Sequence, residues 1–369
     1  MVAVYVDPVD GRSYGLDTPR WRSDAGRPLM VSAQRGIARD EIETRERSLW
    51  RYHAALPVDI AHPITLGEGC TPLVEREWGR HRPLFKLEWF SPTGSFKDRG
   101  SSVMLSYLRE RGVEAVLEDS SGNGGSSIAG YGAAGGMGVR IFAPASTSPA
   151  KIAQVRAYGA EVELVDGPRE ASQEAAIRAS DETFYASHNW QALFLEGTKT
   201  LAYELWEDLG FRAPDNVIVP VGAGSSLLGC WLGFRELHSA GQIERMPRLF
   251  AAQPRGCSPV VAALSGERYA HAPTIAEGTA IRSPLRLDQM LQALRETDGA
   301  ALAISEEGIV AALRALCDRG LFAEPTSALA AAAFDELVAR GVIRDSETTV
   351  VMLSGSGLKA AETIRSLLS

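Results

Sequence analysis

From about residue 94 onward, short apolar runs alternate with stretches of helical spacing, and nothing else in the sequence limits the fold so tightly. Strands are expected at Ala115-Val116-Leu117, 139–143, 161–165, 217–221, 249–252 and 349–353. Helices are expected over 95–111, over an Ala/Gly-rich stretch to about Gly135, and over 149–158, 197–209, 305–318 and 325–340, with one more after the last strand. Strands separated by helices pair in parallel and carry helices on both faces. Runs without polar alternation imply burial on both sides. The fold class is therefore α/β, and 369 residues exceed what one compact core serves, so two domains are expected.

The first 30 residues break this pattern. They are rich in Asp, Gly, Arg and Pro, which points to a small irregular or β-rich extension.

Charge and composition exclude several classes. A net charge of −8 with no dense Lys/Arg cluster argues against a nucleic-acid binder. No apolar run reaches membrane-spanning length, so no membrane partner is expected. Met1 to Asp7 lacks a basic segment followed by an apolar one, so no signal peptide is expected. Cys70, Cys230, Cys257 and Cys317 are scattered without metal or redox spacing, and read as buried reduced thiols of a cytoplasmic protein.

Four segments carry chemistry. The stretch from Ser91 through Lys97 to Gly100 places a lysine in a Ser/Gly-rich turn opening a helix. A desolvated amine in the positive field of a helix start loses its proton more readily and suits Schiff-base work. A solvated helix start is the plainer alternative. Ser120, Ser121, Gly122, Asn123, Gly124 and Gly125 follow a strand and open a helix. Their amides suit a substrate carboxylate and Asn123 a ring oxygen, while an Asn-Gly turn explains them too.

Gly222, Ala223, Gly224, Ser225 and Ser226 have the same placement, and their backbone N–H groups suit a phosphate. Leu227 stands where a dinucleotide fingerprint needs glycine, so a nicotinamide site is excluded. A tight strand-to-helix turn remains the alternative. Ser354 ends the last strand, where parallel sheets gather ligands, and a helix N-cap explains it nearly as well.

Taken in order, these segments resemble the pyridoxal-phosphate enzymes of fold type II, and within them the threonine synthase family. Thr65 to Leu73, Lys86-Leu87-Glu88, Pro92 to Gly100, Ser121-Gly122-Asn123, 222–226, Glu324 to Ala328 and Ser354 to Lys359 carry the likeness over nearly the whole chain. The resemblance implies pyridoxal 5'-phosphate as cofactor, with Lys97 forming the internal aldimine and acting on the α-proton. It implies Asn123 on the ring hydroxyl, the 222–226 amides on the phosphate, and Ser354 facing the pyridine nitrogen. It also implies a homodimer acting on a small amino acid. The expected domains are a degenerate zinc-ribbon-like extension over 1–30, a large cofactor-binding domain over 31–90 and 195–369, and a small domain over 91–194.

The chain departs from the family pattern in three places. Asp7, Asp10, Arg22 and Ala25 stand where a ribbon would carry its two Cys pairs, so no metal is expected. Gly124 and Gly125 replace hydroxyl residues after the asparagine. Leu193, Phe194 and Leu195 fill a region where the family holds a phosphate-binding arginine, which puts O-phosphohomoserine in doubt as substrate.

The function expected is a threonine-synthase-like lyase working by elimination or replacement at Cβ or Cγ. The alternative is an ammonia-lyase or dehydratase acting by β-elimination on a β-hydroxy or β-amino acid. Arg99, Lys199, Arg282 and Arg286 are candidate replacement cations, each with a surface charge as the plainer reading. His188 and Trp190 are candidates for specificity, with an ordinary packed residue as the plainer reading of the histidine. Glu324 is a candidate cofactor contact or a helix-start carboxylate.

Overall fold

A computed structural model describes residues 2–368 other than Ser121, Ser148 and Pro168. The chain forms two compact units, one of Met1–Arg35, Glu41–Glu68 and Lys97–Thr198, the other of Gly36–Asp40, Gly69–Phe96 and Lys199–Ser369.

The first unit is built on a four-stranded parallel sheet. Its order is Glu161–Val165, Gly138–Pro144, Ala115–Glu118, Phe184–Tyr185. The helices Lys97–Glu110 and Asn123–Gly135 pack on each other beside this sheet. The helix Asn123–Gly135 ends on Gly136 at φ +68°, a left-handed cap that glycine adopts without strain. The strand Glu161–Val165 corrects the expectation of two-sided burial. It is an edge strand with Glu161, Glu163 and Leu164 exposed, and its alternating glutamates belong to that edge.

The N-terminal extension is β-rich, as its composition implied. Val4–Val6 pairs antiparallel with Ser13–Gly15 on one side and Met30–Val31 on the other. Tyr5, Leu16, Leu29 and Val31 join Met104, Tyr107, Tyr131 and Phe194 in one apolar cluster, which ties this small sheet to the first unit. Where a ribbon would hold metal, the buried Asp7 carboxylate accepts from Arg27 Nε at 2.8 Å, and Arg27 also pairs with Asp10. Among the described residues no cluster of metal-ligating side chains exists.

The second unit is a six-stranded sheet, in the order Ala300–Ile304, Arg248–Pro254, Asn216–Pro220, Thr349–Leu353, Leu84–Leu87, Leu73–Glu75. All neighbours are parallel except the last pair. The central strands Asn216–Pro220 and Thr349–Leu353 are buried throughout, as their unbroken apolar runs imply. The alanine-rich helix Pro325–Ala339 lies against them, its small side chains allowing close approach to the sheet.

The helix expected over 197–209 is instead two, Ala192–Thr198 and Thr200–Asp208. Gly197 explains the tight packing before the break, since a Cβ there would lie 2.1 Å from the Arg99 carbonyl oxygen. No described helix is long and apolar enough to cross a membrane.

Candidate active site

Lys97 is the first residue of the helix Lys97–Glu110 and is half-buried. Its Nζ lies 5.7 Å from the centre of the Phe194 ring, within cation–π range. The neighbouring Asp98 and Arg99 are fully buried, and Asp98 accepts from Ser127 Oγ at 2.6 Å. Lys97 therefore sits among packed groups, unlike a solvated helix start.

Asn123 opens the helix Asn123–Gly135 and is partly exposed; Gly122 is its exposed N-cap. Gly124 and Gly125 are buried at points of close approach. A Cβ on Gly125 would lie 1.7 Å from the Ser120 carbonyl oxygen, and one on Gly124 would lie 2.7 Å from the His188 ring. Ser120 is half-buried, and Ser121 lies outside the described residues.

The histidine occupying that glycine notch is itself buried. Its Nδ1 is 3.0 Å from Glu118 Oε2, and its backbone N–H donates to the same oxygen at 3.0 Å. Burial and the nearby Lys97 charge push His188 well below its ordinary range. Burial raises Glu118, against hydrogen bonds from the His188 and Asp119 N–H groups and the Lys97 charge. Asp119 accepts from Tyr185 Oη at 2.7 Å and Ser187 Oγ at 3.0 Å. Trp190, by contrast, packs edge-on against Trp21 at 5.2 Å in an aromatic cluster of the core.

The second unit holds the remaining residues. Val221 to Gly224 link the buried strand Asn216–Pro220 to the helix Ser225–Ser239, so amides at a helix N-terminus are available to an anion. Both glycines are required by geometry. Gly224 has φ +88° and sits against Met290 Sδ, while a Cβ on Gly222 would lie 2.9 Å from Thr279 Cα. Ala223 is half-buried and Ser225 and Ser226 are buried in the first helical turn.

Ser354 follows the strand Thr349–Leu353 and is buried, its Oγ 3.1 Å from Ser327 Oγ and 3.4 Å from Glu324 Oε1. The N-cap reading of Ser354 is overturned, because Ser356 takes that role by accepting from Leu358 N–H at 3.2 Å. Glu324 is the N-cap residue of Pro325–Ala339 without a side-chain cap bond. Its carboxylate packs so near Gly355 that a Cβ there would lie 2.5 Å from Glu324 Oε1. The Phe96 N–H donates to the Ser354 carbonyl at 3.0 Å, and the buried Ser95 Oγ finds no partner among the described residues.

Three of the four candidate cations are buried, against the surface reading. Lys199 is ion-paired to Glu236 at 3.0 Å, which in turn bonds Tyr203. Arg99 is fully buried, and burial pulls Arg286 down to about 10. Only Arg282 is exposed. The expectation of uniformly buried thiols also fails, since Cys70 is exposed and Cys317 half-buried; none of the four is in a disulfide.

Residues 64–355 match the model of the family described as pyridoxal-phosphate dependent enzyme. The threonine synthase of Methanocaldococcus jannaschii is 33% identical over 368 residues, covering 95% of this chain and 91% of that protein. The chain belongs to the pyridoxal-phosphate dependent enzymes, in the threonine synthase family. Within the family it is a lyase of fold type II.

Solved structures of the same fold include the T.th. threonine deaminase, 28% identical with a TM-score of 0.65, covering 78% of this chain and 92% of that one. The processed threonine deaminase isoform 2 of Solanum lycopersicum has a TM-score of 0.71 at 23% identity over 95% of each chain, a likeness of fold.

The residues present fit pyridoxal 5'-phosphate, the cofactor of this enzyme family. Each unit by itself carries groups that suit a phosphorylated aldehyde: the first a half-buried amine, the second a glycine cradle with no room for a Cβ, a neutral buried hydroxyl and the orphaned Ser95 hydroxyl. Sequence reasoning missed Glu118 and Ser327. Glu118 ends the strand Ala115–Glu118 just before the Ser-Gly-Asn loop, and that position was the available signal.

Proposed function

We propose that this lyase removes a small, unphosphorylated leaving group from the β-carbon of a small amino acid by elimination. The observation that carries the reading is Phe194 beside Lys97, seated against Gly100 in the segment where the family's phosphate-binding arginine belongs. An apolar ring offers a dianion no charge-assisted bond and makes its desolvation costly. Lys199, the nearest cation in sequence, is committed to Glu236. Both observations weigh against O-phosphohomoserine, and with it against threonine synthesis. The 28%-identical threonine deaminase supports the elimination reading.

When bound, the cofactor supplies an electron sink for bond breaking at Cα. In this reading Lys97 holds its aldehyde and moves the substrate's α-proton at Nζ. The 222–226 amides bind its phosphate, Asn123 its ring hydroxyl, and Ser354 its ring nitrogen. A neutral hydroxyl at that nitrogen favours elimination over chemistry through a long-lived carbanion. The amides of 120–125 take the substrate carboxylate, and Phe194 keeps water from the reacting carbon.

The same reading includes a cytoplasmic homodimer and an N-terminal sheet that is a ribbon held by Asp7, Asp10 and Arg27 in place of metal. A panel of serine, threonine, 2,3-diaminopropionate and O-phosphohomoserine tests the function. Keto acid and ammonia from the first three are expected; phosphate release from O-phosphohomoserine in preference to all of them would refute it.

A further inference from the structure

We propose that His188, set by Glu118, donates the proton that lets a poor leaving group depart from the substrate. The inference rests on the elimination reading above and names the class of leaving group: a hydroxyl or amine, which must be protonated to leave.

The geometry comes from four neighbours in one unit. Glu118 Oε2 engages His188 Nδ1 at 3.0 Å and its backbone N–H at 3.0 Å, which fixes the ring and leaves Nε2 as its functional nitrogen. Gly124, adjacent to Asn123, is the notch that admits the ring; any side chain there would meet it at 2.7 Å. Phe194 lies 5.7 Å from the imidazole and 5.7 Å from Lys97 Nζ, so one aromatic surface borders both groups. The glycine notch and the phenyl ring thus set the imidazole against the same aromatic surface as Lys97.

The proton count closes. At rest the Glu118 carboxyl donates to Nδ1, and the neutral ring carries its proton on Nε2. As the Cβ–O or Cβ–N bond breaks, its electron pair stays with the heteroatom, which takes the Nε2 proton and leaves as water or ammonia. Nδ1 then receives the Glu118 proton, so the ring stays neutral and Glu118 becomes a carboxylate. Lys97 has meanwhile gained the α-proton, and its positive charge offsets that carboxylate. Return of one proton from Lys97 to the pair, directly or through solvent, resets the site. Burial, which favours a neutral ring and a protonated Glu118, agrees with this resting state.

Glu118→Gln and His188→Gln test the inference in the holoenzyme. Serine needs leaving-group protonation; β-chloroalanine, which expels chloride, does not. Both variants are expected to lose about 100-fold or more on serine, the scale of general acid catalysis, and less than about 3-fold on β-chloroalanine. Equal losses on both compounds, or none on serine, would overturn the inference. A wild-type protein inert toward both would instead refute the elimination reading. A second readout needs no turnover. Nitrogen-15 NMR of the histidines in the cofactor-free chain at pH 7 is expected to show the His188 ring neutral and protonated on Nε2. An imidazolium, or a ring protonated on Nδ1, would overturn the assignment.

Discussion

The Phe194 ring rests directly on the backbone of Gly100, so that a Cβ at position 100 would come within 2.5 Å of three ring atoms. Both residues are fully buried in the first unit, and the glycine is one turn along the helix that begins at Lys97. Gly100→Ala therefore forces the ring aside, and is expected to cost about 1–3 kcal/mol through overpacking. Chemical denaturation measures that loss. In a double-mutant cycle the Gly100→Ala loss should shrink when Phe194→Ala is already present, because the clash partner is gone; strict additivity would contradict the contact.

A buried charge sits inside the sheet of the second unit. Lys86, on the strand Leu84–Leu87, contacts Glu204 at 2.6 Å, Asp208 at 2.7 Å and the Thr71 carbonyl at 2.7 Å. Glu204 also accepts from the Cys70 and Thr71 N–H groups, each at 2.8 Å. Lys86→Met leaves that carboxylate buried without its cation, and is expected to destabilise the protein by about 3–5 kcal/mol. The denaturant midpoint should fall with its slope unchanged.

The glycine cradle gives a binding prediction. Gly224→Ala introduces a side chain at φ +88° that also collides with Met290 Sδ. It should weaken pyridoxal 5'-phosphate binding by about 10-fold or more in a fluorescence titration, since the amides at this helix start would no longer converge on the phosphate. A parallel Gly241→Ala change, equally left-handed but with open space around it, should leave that affinity unchanged.

The Asp7–Arg27 pair makes the N-terminal sheet acid-sensitive. Burial alone would raise Asp7, but hydrogen bonds from Ser23, the Val9 N–H and Arg27 hold it at about 2, below its ordinary 3.8. A depressed carboxylate stabilises the fold fully above its unfolded value, and loses that contribution as pH falls through the folded one. Stability measured by urea titration should therefore decline between about pH 5 and pH 2. In Asp7→Asn this part of the decline should vanish, with lower stability at pH 7.

Much of this architecture was legible in the sequence because its central strands are uninterrupted apolar runs. Thr349–Leu353 was found with its bounds, and Asn216–Pro220 within one residue. Leu84–Leu87 escapes a sequence reading because Lys86 interrupts the apolar run, and its carboxylate partners Glu204 and Asp208 lie more than a hundred positions away. Ala300–Ile304 was missed because its alanines have low β-propensity, and a place at the sheet edge, which no local pattern announces, makes it a strand. The cofactor segments were legible because each is contiguous. His188 reads in the sequence as an ordinary packed residue, because its partner Glu118 lies 70 residues earlier and only the fold joins them.

The most direct test of the account is borohydride reduction of the holoenzyme followed by peptide mass spectrometry. The account expects a pyridoxyl adduct on the peptide containing Lys97, lost in Lys97→Ala. An adduct on a different lysine, or none on a protein that has retained the cofactor, would contradict it.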